Sequence, residues 1–179
     1  MVKNLPTLVG GESNLEVTRR YVPITNFNHL TKLDDLFIYG RFNISNIHIS
    51  SLTSLQSLHA GCTHITNFNS LTKLRRLYLI GNFDISNEGI IALTNLTDLN
   101  LYETKHVTDI NHLTNLQTLQ CGQSGISNNG IKHLTALTAL SIKFNKHIMD
   151  ISHLTNLKKL YYNKKLINLM AYNSLNHFI

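Results

Sequence analysis

Leucine returns at a nearly constant interval along this 179-residue chain, and that interval limits the folds open to it. A Leu-Thr pair begins at Leu30, Leu52, Leu71, Leu93, Leu113, Leu134 and Leu154, in steps of 19 to 22 residues. Further leucines follow each of these three and six positions later, whereas the residues between them vary from unit to unit. Burying one leucine side chain contributes about 1.5–3 kcal/mol. The repetition therefore predicts one continuous buried column, built from units that cannot bury their leucines alone.

A second feature of each unit is the residue pair that closes it. Two positions after the last leucine stands a residue that is apolar in most units, so that the pair flanks one side chain. Successive side chains of a strand point to opposite faces, which places the pair in the core and the residue between them outside. This spacing predicts eight short strands, side by side in one parallel sheet, at 15–17, 36–38, 58–60, 77–79, 99–101, 119–121, 140–142 and 160–162.

The segments that return the chain from one strand to the next come in two alternating lengths. Long units begin at Ile44, Ile85 and Ile126, which gives a second period of 41 residues. Segments such as "SNEGIIAL" and "SNNGIKHL" are long enough for one or two turns of helix, and shorter ones such as "TNFNSL" predict a 3₁₀ turn. Both kinds open with Ser or Thr followed by Asn or Asp, which accept hydrogen bonds from backbone N–H groups at such starts.

The L-x-x-L-x-L spacing, followed by N-x-x-I, resembles the leucine-rich repeat over about residues 15–162. The long units are similar to the cysteine-containing repeats of ubiquitin-ligase substrate adaptors, with Asn82 in the usual cysteine position. The short units resemble bacterial internalin repeats. The resemblance implies an α/β leucine-rich-repeat solenoid, with a curved parallel sheet on its concave face and short helices or 3₁₀ turns on its convex side. We expect a single domain over 1–179, with an N-terminal cap (1–14), about eight repeats (15–162) and a C-terminal cap (163–179).

Aromatic and apolar residues cluster at the outward strand positions of four neighbouring units. This set comprises Phe37, Tyr39, His59, Tyr78, Ile80 and Tyr102. At a strand spacing of about 4.8 Å these side chains should form one contiguous patch, with Arg76 and Asp98 at its rim. Aromatic side chains within a charged rim are typical of protein-binding hot spots. Since the resemblance also implies recognition, our leading prediction is a non-enzymatic protein–protein interaction module that binds a protein partner through the concave sheet face.

The net charge of +6 is concentrated toward one end of the chain. Residues 1–110 hold nine basic and nine acidic residues, whereas residues 111–179 hold seven lysines and the single acid Asp150. This asymmetry favours an alternative function, the binding of an anion, a nucleic acid or an acidic surface through the lysine-rich C-terminal end. The candidate residues are Lys143, Lys158, Lys159, Tyr161 and Lys164. A third hypothesis is a structural or assembly scaffold, which self-association in solution would support.

Other classes of function find little support in the sequence. The ten histidines recur mainly in repeating columns, which spread them over successive units instead of bringing three or four to one metal ion. Cys62 and Cys121 fall in units too far apart for a disulfide. Neither a Gly-rich phosphate loop nor a distinct nucleophile with a neighbouring base stands out. We therefore expect no catalytic activity, no cofactor and no metal.

The sequence also predicts a cytoplasmic monomer. No apolar run approaches the roughly 20 residues that span a bilayer. The N-terminal stretch lacks the continuous apolar core of a signal peptide. A content of only two cysteines fits a reducing compartment.

Overall fold

The computed structural model describes residues 13–17, 27–38, 44–163 and 165–168, which form a sheet of nine strands. In chain order these are β1 (Asn14–Val17), β2 (Asp35–Ile38), β3 (Ser57–His59), β4 (Arg76–Tyr78), β5 (Asp98–Asn100), β6 (Thr118–Gln120), β7 (Ala139–Ser141), β8 (Lys159–Tyr162) and β9 (Lys165–Asn168). Neighbours in the sheet are also neighbours in sequence, so every coil of the chain adds one strand. Strands β1 to β8 run parallel, which confirms the predicted solenoid.

Each predicted strand is present, but all eight begin one residue earlier than the leucine spacing indicates. Backbone hydrogen bonds explain the shift: the N–H groups of Gln56 and Ser57 both donate to the Asp34 carbonyl, at 2.8 and 3.0 Å. The same double donation recurs at the start of β2 to β8, and it brings the residue before the leucine into the sheet. The pairing keeps the strand leucines of β2 to β8 level with one another, at Leu36, Leu58, Leu77, Leu99, Leu119, Leu140 and Leu160.

Leucine and isoleucine side chains fill the interior as one continuous cluster that extends from Leu15 to Leu160. A column of buried polar residues borders this core, at Thr63, Asn82, Thr104, Ser124 and Asn145. Each donates a side-chain hydrogen bond to a backbone carbonyl; the Asn82 amide, for example, reaches the Ile65 carbonyl of the preceding coil at 2.9 Å. Because buried polar groups are costly when unpaired, these bonds let a polar residue occupy the position. Every buried side-chain nitrogen or oxygen in the described part of the chain has a partner.

The long return segments form short 3₁₀ helices, at Asn46–His48, Asn87–Ile90 and Asn129–Ile131. Neighbouring coils approach closely there, since a Cβ on Gly130 would lie 2.0 Å from the Thr108 carbonyl oxygen. The short segment "TNFNSL" forms a single turn and no helix, with an i→i+3 hydrogen bond from the Leu71 N–H to the Phe68 carbonyl at 2.9 Å. In addition, the Asn67 side-chain oxygen accepts a hydrogen bond from the Asn69 N–H at 2.9 Å. This bond closes an Asx turn, in which a side chain takes the place of a backbone carbonyl and shortens the turn.

Asparagine side chains connect each long unit to the short unit that follows. The Asn87 side-chain oxygen accepts from the N–H groups of Thr108 and Asp109, at 2.8 and 3.2 Å. Asn46 and Asn128 make the equivalent pairs of bonds one long–short period before and after. Each long unit therefore supplies, at or just before the start of its 3₁₀ helix, the acceptor that binds the following short unit.

The predicted caps lie largely outside the described residues, as 1–12 and 169–179 do. Within the predicted C-terminal cap, β9 pairs antiparallel with β8, and Leu160 stands opposite Ile167. This strand lies beyond the last leucine motif, and the leucine spacing does not predict it. None of the helices in the described ranges is long and apolar enough to cross a membrane.

Candidate binding surface

Strand residues that lie between the buried positions project from one side of the sheet, which we call the sheet face. The strand register aligns its central column as Glu16, Phe37, His59, Tyr78, Asn100, Gln120, Ser141 and Tyr161. Of these only Asn100 is buried, with 5% of its surface exposed. The sheet face is therefore a surface whose chemistry can change from coil to coil without altering the core.

Three rings at one end of this column stack directly on one another, and we call them the aromatic stack. The ring centroids of Phe37 and His59 lie 4.4 Å apart, and those of His59 and Tyr78 lie 4.0 Å apart. The ring planes are inclined by 28° and 17°, respectively. These separations follow from the spacing of neighbouring strands, which is about 4.8 Å. All three side chains are half-buried, so each leaves an edge or a face open to solvent.

An ion pair runs along the aromatic stack on the neighbouring column. The Arg76 guanidinium on β4 donates to the Asp35 carboxylate on β2 at 3.1 Å, across the intervening strand β3. Burial lowers the pKa of His59 below its usual 6.5, and Arg76 adds to this effect while Asp35 opposes it. Burial and the Asp98 carboxylate raise the pKa of Tyr78, against a smaller opposing effect of Arg76. The stack is accordingly uncharged at neutral pH.

The remaining members of the predicted patch lie less close to the stack. Ile80 is 47% exposed. The Tyr102 ring packs over Gly122 on the next coil, where an added Cβ would lie 2.9 Å from the tyrosine Cδ2. Tyr102 therefore leans toward β6, and the continuous part of the patch is the aromatic stack with its ion pair. Tyr39 lies outside the described residues.

At the other end of the sheet face, β6, β7 and β8 enclose a depression of about 390 Å³, which we call the lysine pocket. Its floor lies low at β7 because Ala139 and Ser141 are small, whereas larger side chains stand on both flanking strands. The polar groups that line it are Thr118, Gln120, Ser141, Lys143, Lys159 and Tyr161.

The lysine pocket contains part of the predicted anion site and adds to it. Lys143, Lys159 and Tyr161 line the depression together. Lys158 is exposed but does not line it, and Lys164 lies outside the described residues. The predicted site does not include the hydroxyl and amide groups of β6 and β7 that also line the pocket. A signal for them is present in the sequence, namely small residues on one unit between larger ones on its neighbours.

The histidines and cysteines occupy separate structural positions. His112 and His153 each place Nε2 3.2 Å from a carbonyl oxygen of the preceding coil, on Ile90 and Ile131. Within the described ranges, no three His, Cys, Asp or Glu side chains converge as metal ligands would. Cys62 is exposed and Cys121 is buried, and burial raises the pKa of the Cys121 thiol far above its ordinary value.

Several solved structures of known proteins share this fold. The sequence matches no protein-family model and no curated protein. Among solved structures, an internalin (InlF) from Listeria monocytogenes is 27% identical, with a TM-score of 0.65 over 86% of this chain and 47% of the internalin. TLR13 in a complex with ssRNA13 is 22% identical, with a TM-score of 0.61 over 85% of this chain and 25% of TLR13. The Arabidopsis receptor kinase HAESA ectodomain, in a complex with an IDA peptide hormone, is 21% identical, with a TM-score of 0.60 over 83% of this chain and 29% of HAESA.

The likenesses to TLR13 and HAESA concern the fold alone. This chain spans about half the length of the internalin that it matches. The chain is therefore a leucine-rich-repeat protein. It carries seven consecutive leucine motifs, adds one strand of the sheet with each coil and shares its fold with the internalin.

Proposed function

We propose that this protein is a non-enzymatic interaction module that binds another protein through the sheet face. The observation that carries the proposal is the aromatic stack, three half-buried rings packed at 4.0–4.4 Å beside an ion-paired arginine. Tyrosine and arginine are enriched among the residues that dominate binding free energy at protein interfaces. Catalysis is left out of the proposal because no nucleophile with a neighbouring base and no Gly-rich phosphate loop stands out in the sequence.

Preorganisation is the physical argument for the stack as an anchor. Each ring is held by its neighbour, so a partner that packs on it need not immobilise a flexible side chain. Ordering a side chain at an interface costs roughly 0.5–1.5 kcal/mol, and rings that are already stacked avoid much of this cost. The HAESA complex, in which a leucine-rich-repeat ectodomain binds a peptide hormone, is consistent with this kind of recognition.

Substitution of one stack residue tests the proposal. Tyr78→Ala should weaken binding of a captured protein partner by at least about 1 kcal/mol, which is roughly fivefold in Kd. Phe83→Ala is the matched control, because Phe83 belongs to the same coil and is 55% exposed but lies outside the strands. Partners would be captured from a native lysate at low and high salt, and their affinity measured with each variant. Equal affinity for wild type and Tyr78→Ala would contradict the assignment of the stack.

The lysine pocket favours a second candidate function, the binding of an anionic ligand. The pocket brings together Lys143, Lys159 and Tyr161 of the predicted site, and the exposed Lys158 precedes Lys159 in the chain. A nucleic acid or an acidic surface bound in this way would show a steep loss of affinity as salt increases. The TLR13 structure contains a single-stranded RNA ligand on a related fold. Binding that is insensitive to Tyr78→Ala and lost at high salt would favour this candidate over the first.

The cytoplasmic location and the monomeric state remain predictions of the sequence. Fractionation of the native cell and the mass in solution would test them separately from the binding function.

A further inference from the structure

We infer that the ligand of the sheet face is an extended peptide segment of a partner protein that carries an apolar side chain for the aromatic stack and an Asp or Glu carboxylate for the lysine pocket. This inference rests on the proposed function and specifies the chemistry of the partner. It joins the two sites of the sheet face, which could otherwise serve alternative functions, into one binding surface.

Charge complementarity supports the acidic end of this segment. The lysine pocket offers two ammonium groups and the hydroxyl and amide donors of Thr118, Gln120 and Tyr161, and no acidic side chain lines it among the described residues. Neither Lys143 nor Lys159 forms an ion pair with another described residue. Arg76 differs, because Asp35 already neutralises its guanidinium. A carboxylate therefore gains most in the pocket, through hydrogen bonds to charged donors, which are roughly twice as strong as bonds between neutral groups.

The surface between the two sites is polar and suits a peptide backbone. The Asn100 side-chain amide donates to the Gln120 side-chain oxygen at 3.2 Å, which bridges β5 and β6. The Asn100 oxygen also accepts from the Tyr102 N–H at 3.0 Å. Gln120 is exposed, so its amide can form hydrogen bonds with a peptide group that passes over it.

The strand spacing sets the length of the segment. Tyr78 lies on β4, Lys143 follows β7 and Lys159 lies on β8, so the lysines are three to four strands from Tyr78, or about 14–19 Å. An extended peptide rises about 3.3 Å per residue. The apolar residue and the acidic residue should accordingly be about four to six positions apart, with the peptide crossing the strands of the sheet.

A peptide-display library provides the first test. Random twelve-residue peptides would be selected on the full chain, and the Kd of the enriched peptides would be measured by fluorescence anisotropy. The pocket variant is Lys143→Gln with Lys159→Gln, and its charge-matched control is Lys73→Gln with Lys132→Gln, two exposed lysines outside the sheet. Tyr78→Ala and Phe83→Ala form the second variant and its control.

The expected result is a set of peptides with an aromatic or aliphatic residue four to six positions from an Asp or Glu. Tyr78→Ala and the pocket variant should each raise their Kd by about fivefold or more, and the controls by less than about twofold. Since the sites are more than about 10 Å apart, the combined variant should raise Kd by roughly the product of the two factors. Raising salt from 0.05 to 0.5 M should weaken binding to wild type but hardly change binding to the pocket variant.

Other outcomes separate the inference from the proposed function. Peptides that need Tyr78 but bind the pocket variant with unchanged Kd would overturn the inference and leave the proposed function standing. Peptides that depend on the lysines and ignore Tyr78→Ala would overturn both. Selection of no peptide would overturn the inference, as would a twelve-nucleotide single-stranded RNA that binds the lysine pocket more tightly than every enriched peptide.

Discussion

At the scale of single residues, His59 shows how position on the sheet face changes an ordinary side chain. Its ring lies between those of Phe37 and Tyr78, and burial and the nearby Arg76 lower its pKa below 6.5. The folded protein therefore binds a proton at His59 less readily than the unfolded chain does. Its contribution to stability is complete above pH 6.5 and is lost as the pH falls from 6.5 through the lower pKa of the folded state.

We predict that His59→Phe, which keeps a ring in the stack, reduces the acid sensitivity of the protein. Urea denaturation at pH 7.5 and at pH 5.5 would give the change in the free energy of unfolding for each variant. Wild type should lose more stability between these pH values than His59→Phe. His133→Asn, at an exposed histidine outside the strands, should retain the wild-type difference. An unchanged difference in His59→Phe would show that His59 has no part in it.

Two adjacent residues of β4 test the division between core and sheet face. Leu77 is fully buried, and Leu77→Ala should cost about 2–5 kcal/mol of unfolding free energy because it leaves a cavity. Tyr78 is half-buried on the other side, and Tyr78→Ala should cost no more than about 1.5 kcal/mol, the upper range for an aromatic pair. Urea titrations of both variants would measure the two values. A larger cost for Tyr78→Ala would show that the stack serves stability, and the binding experiments would then need a milder substitution.

At the scale of elements, the 3₁₀ helices at Asn87–Ile90 and Asn129–Ile131 depend on glycine for the close approach of neighbouring coils. We predict that Gly130→Ala destabilises the protein by about 1–3 kcal/mol, the usual range for forcing an extra carbon into a packed site. The added Cβ would lie 2.0 Å from the Thr108 carbonyl oxygen, a backbone atom that cannot move without its coil. Asn129→Ala, at the exposed neighbour in the same helix, should change stability little. Thermal or urea denaturation of the two variants would measure this contrast, and equal effects would contradict it.

The strands could be predicted because leucine spacing alone determines which side chains enter the core. Once Leu58, Leu77 and Leu99 are aligned, the residues after them must share the sheet face. The order of Phe37, His59 and Tyr78 therefore follows from the sequence, although the inclination of their rings depends on the three-dimensional packing.

Other parts of the surface could not be predicted in the same way. The lysine pocket depends on relative side-chain size across three strands, and periodicity does not encode size. The lean of Tyr102 depends on the space over Gly122, which belongs to the next coil. Strand β9 pairs with β8 beyond the last leucine motif, where the repeat has ended. The Asx turn at Asn67 depends on a side-chain hydrogen bond, which the spacing of the leucines does not encode.

At the scale of the whole molecule, each coil packs only on the coils beside it, so stability should vary along the solenoid. The core leucines are fully buried in the middle of the solenoid, where Leu77 and Leu119 are 0% exposed. They are slightly more exposed toward the C-terminal end, where Leu157 and Leu160 are 8% exposed. A coil that opens at an end loses one interface, whereas a central coil must lose two. Local opening should therefore begin at the ends.

Native-state amide exchange would reveal this gradient through two equivalent hydrogen bonds. The Leu101 N–H donates to the Gln120 carbonyl at 2.7 Å in the middle of the sheet, and the Ile142 N–H donates to the Tyr161 carbonyl at 3.0 Å one coil from the last parallel strand. Opening of the final coils exposes the Ile142 amide and leaves the Leu101 amide protected, so Ile142 should exchange at least about tenfold faster at neutral pH. Equal protection at both amides would mean that the solenoid opens as one cooperative unit. The antiparallel strand β9 would then stabilise the last coil as firmly as a further repeat would.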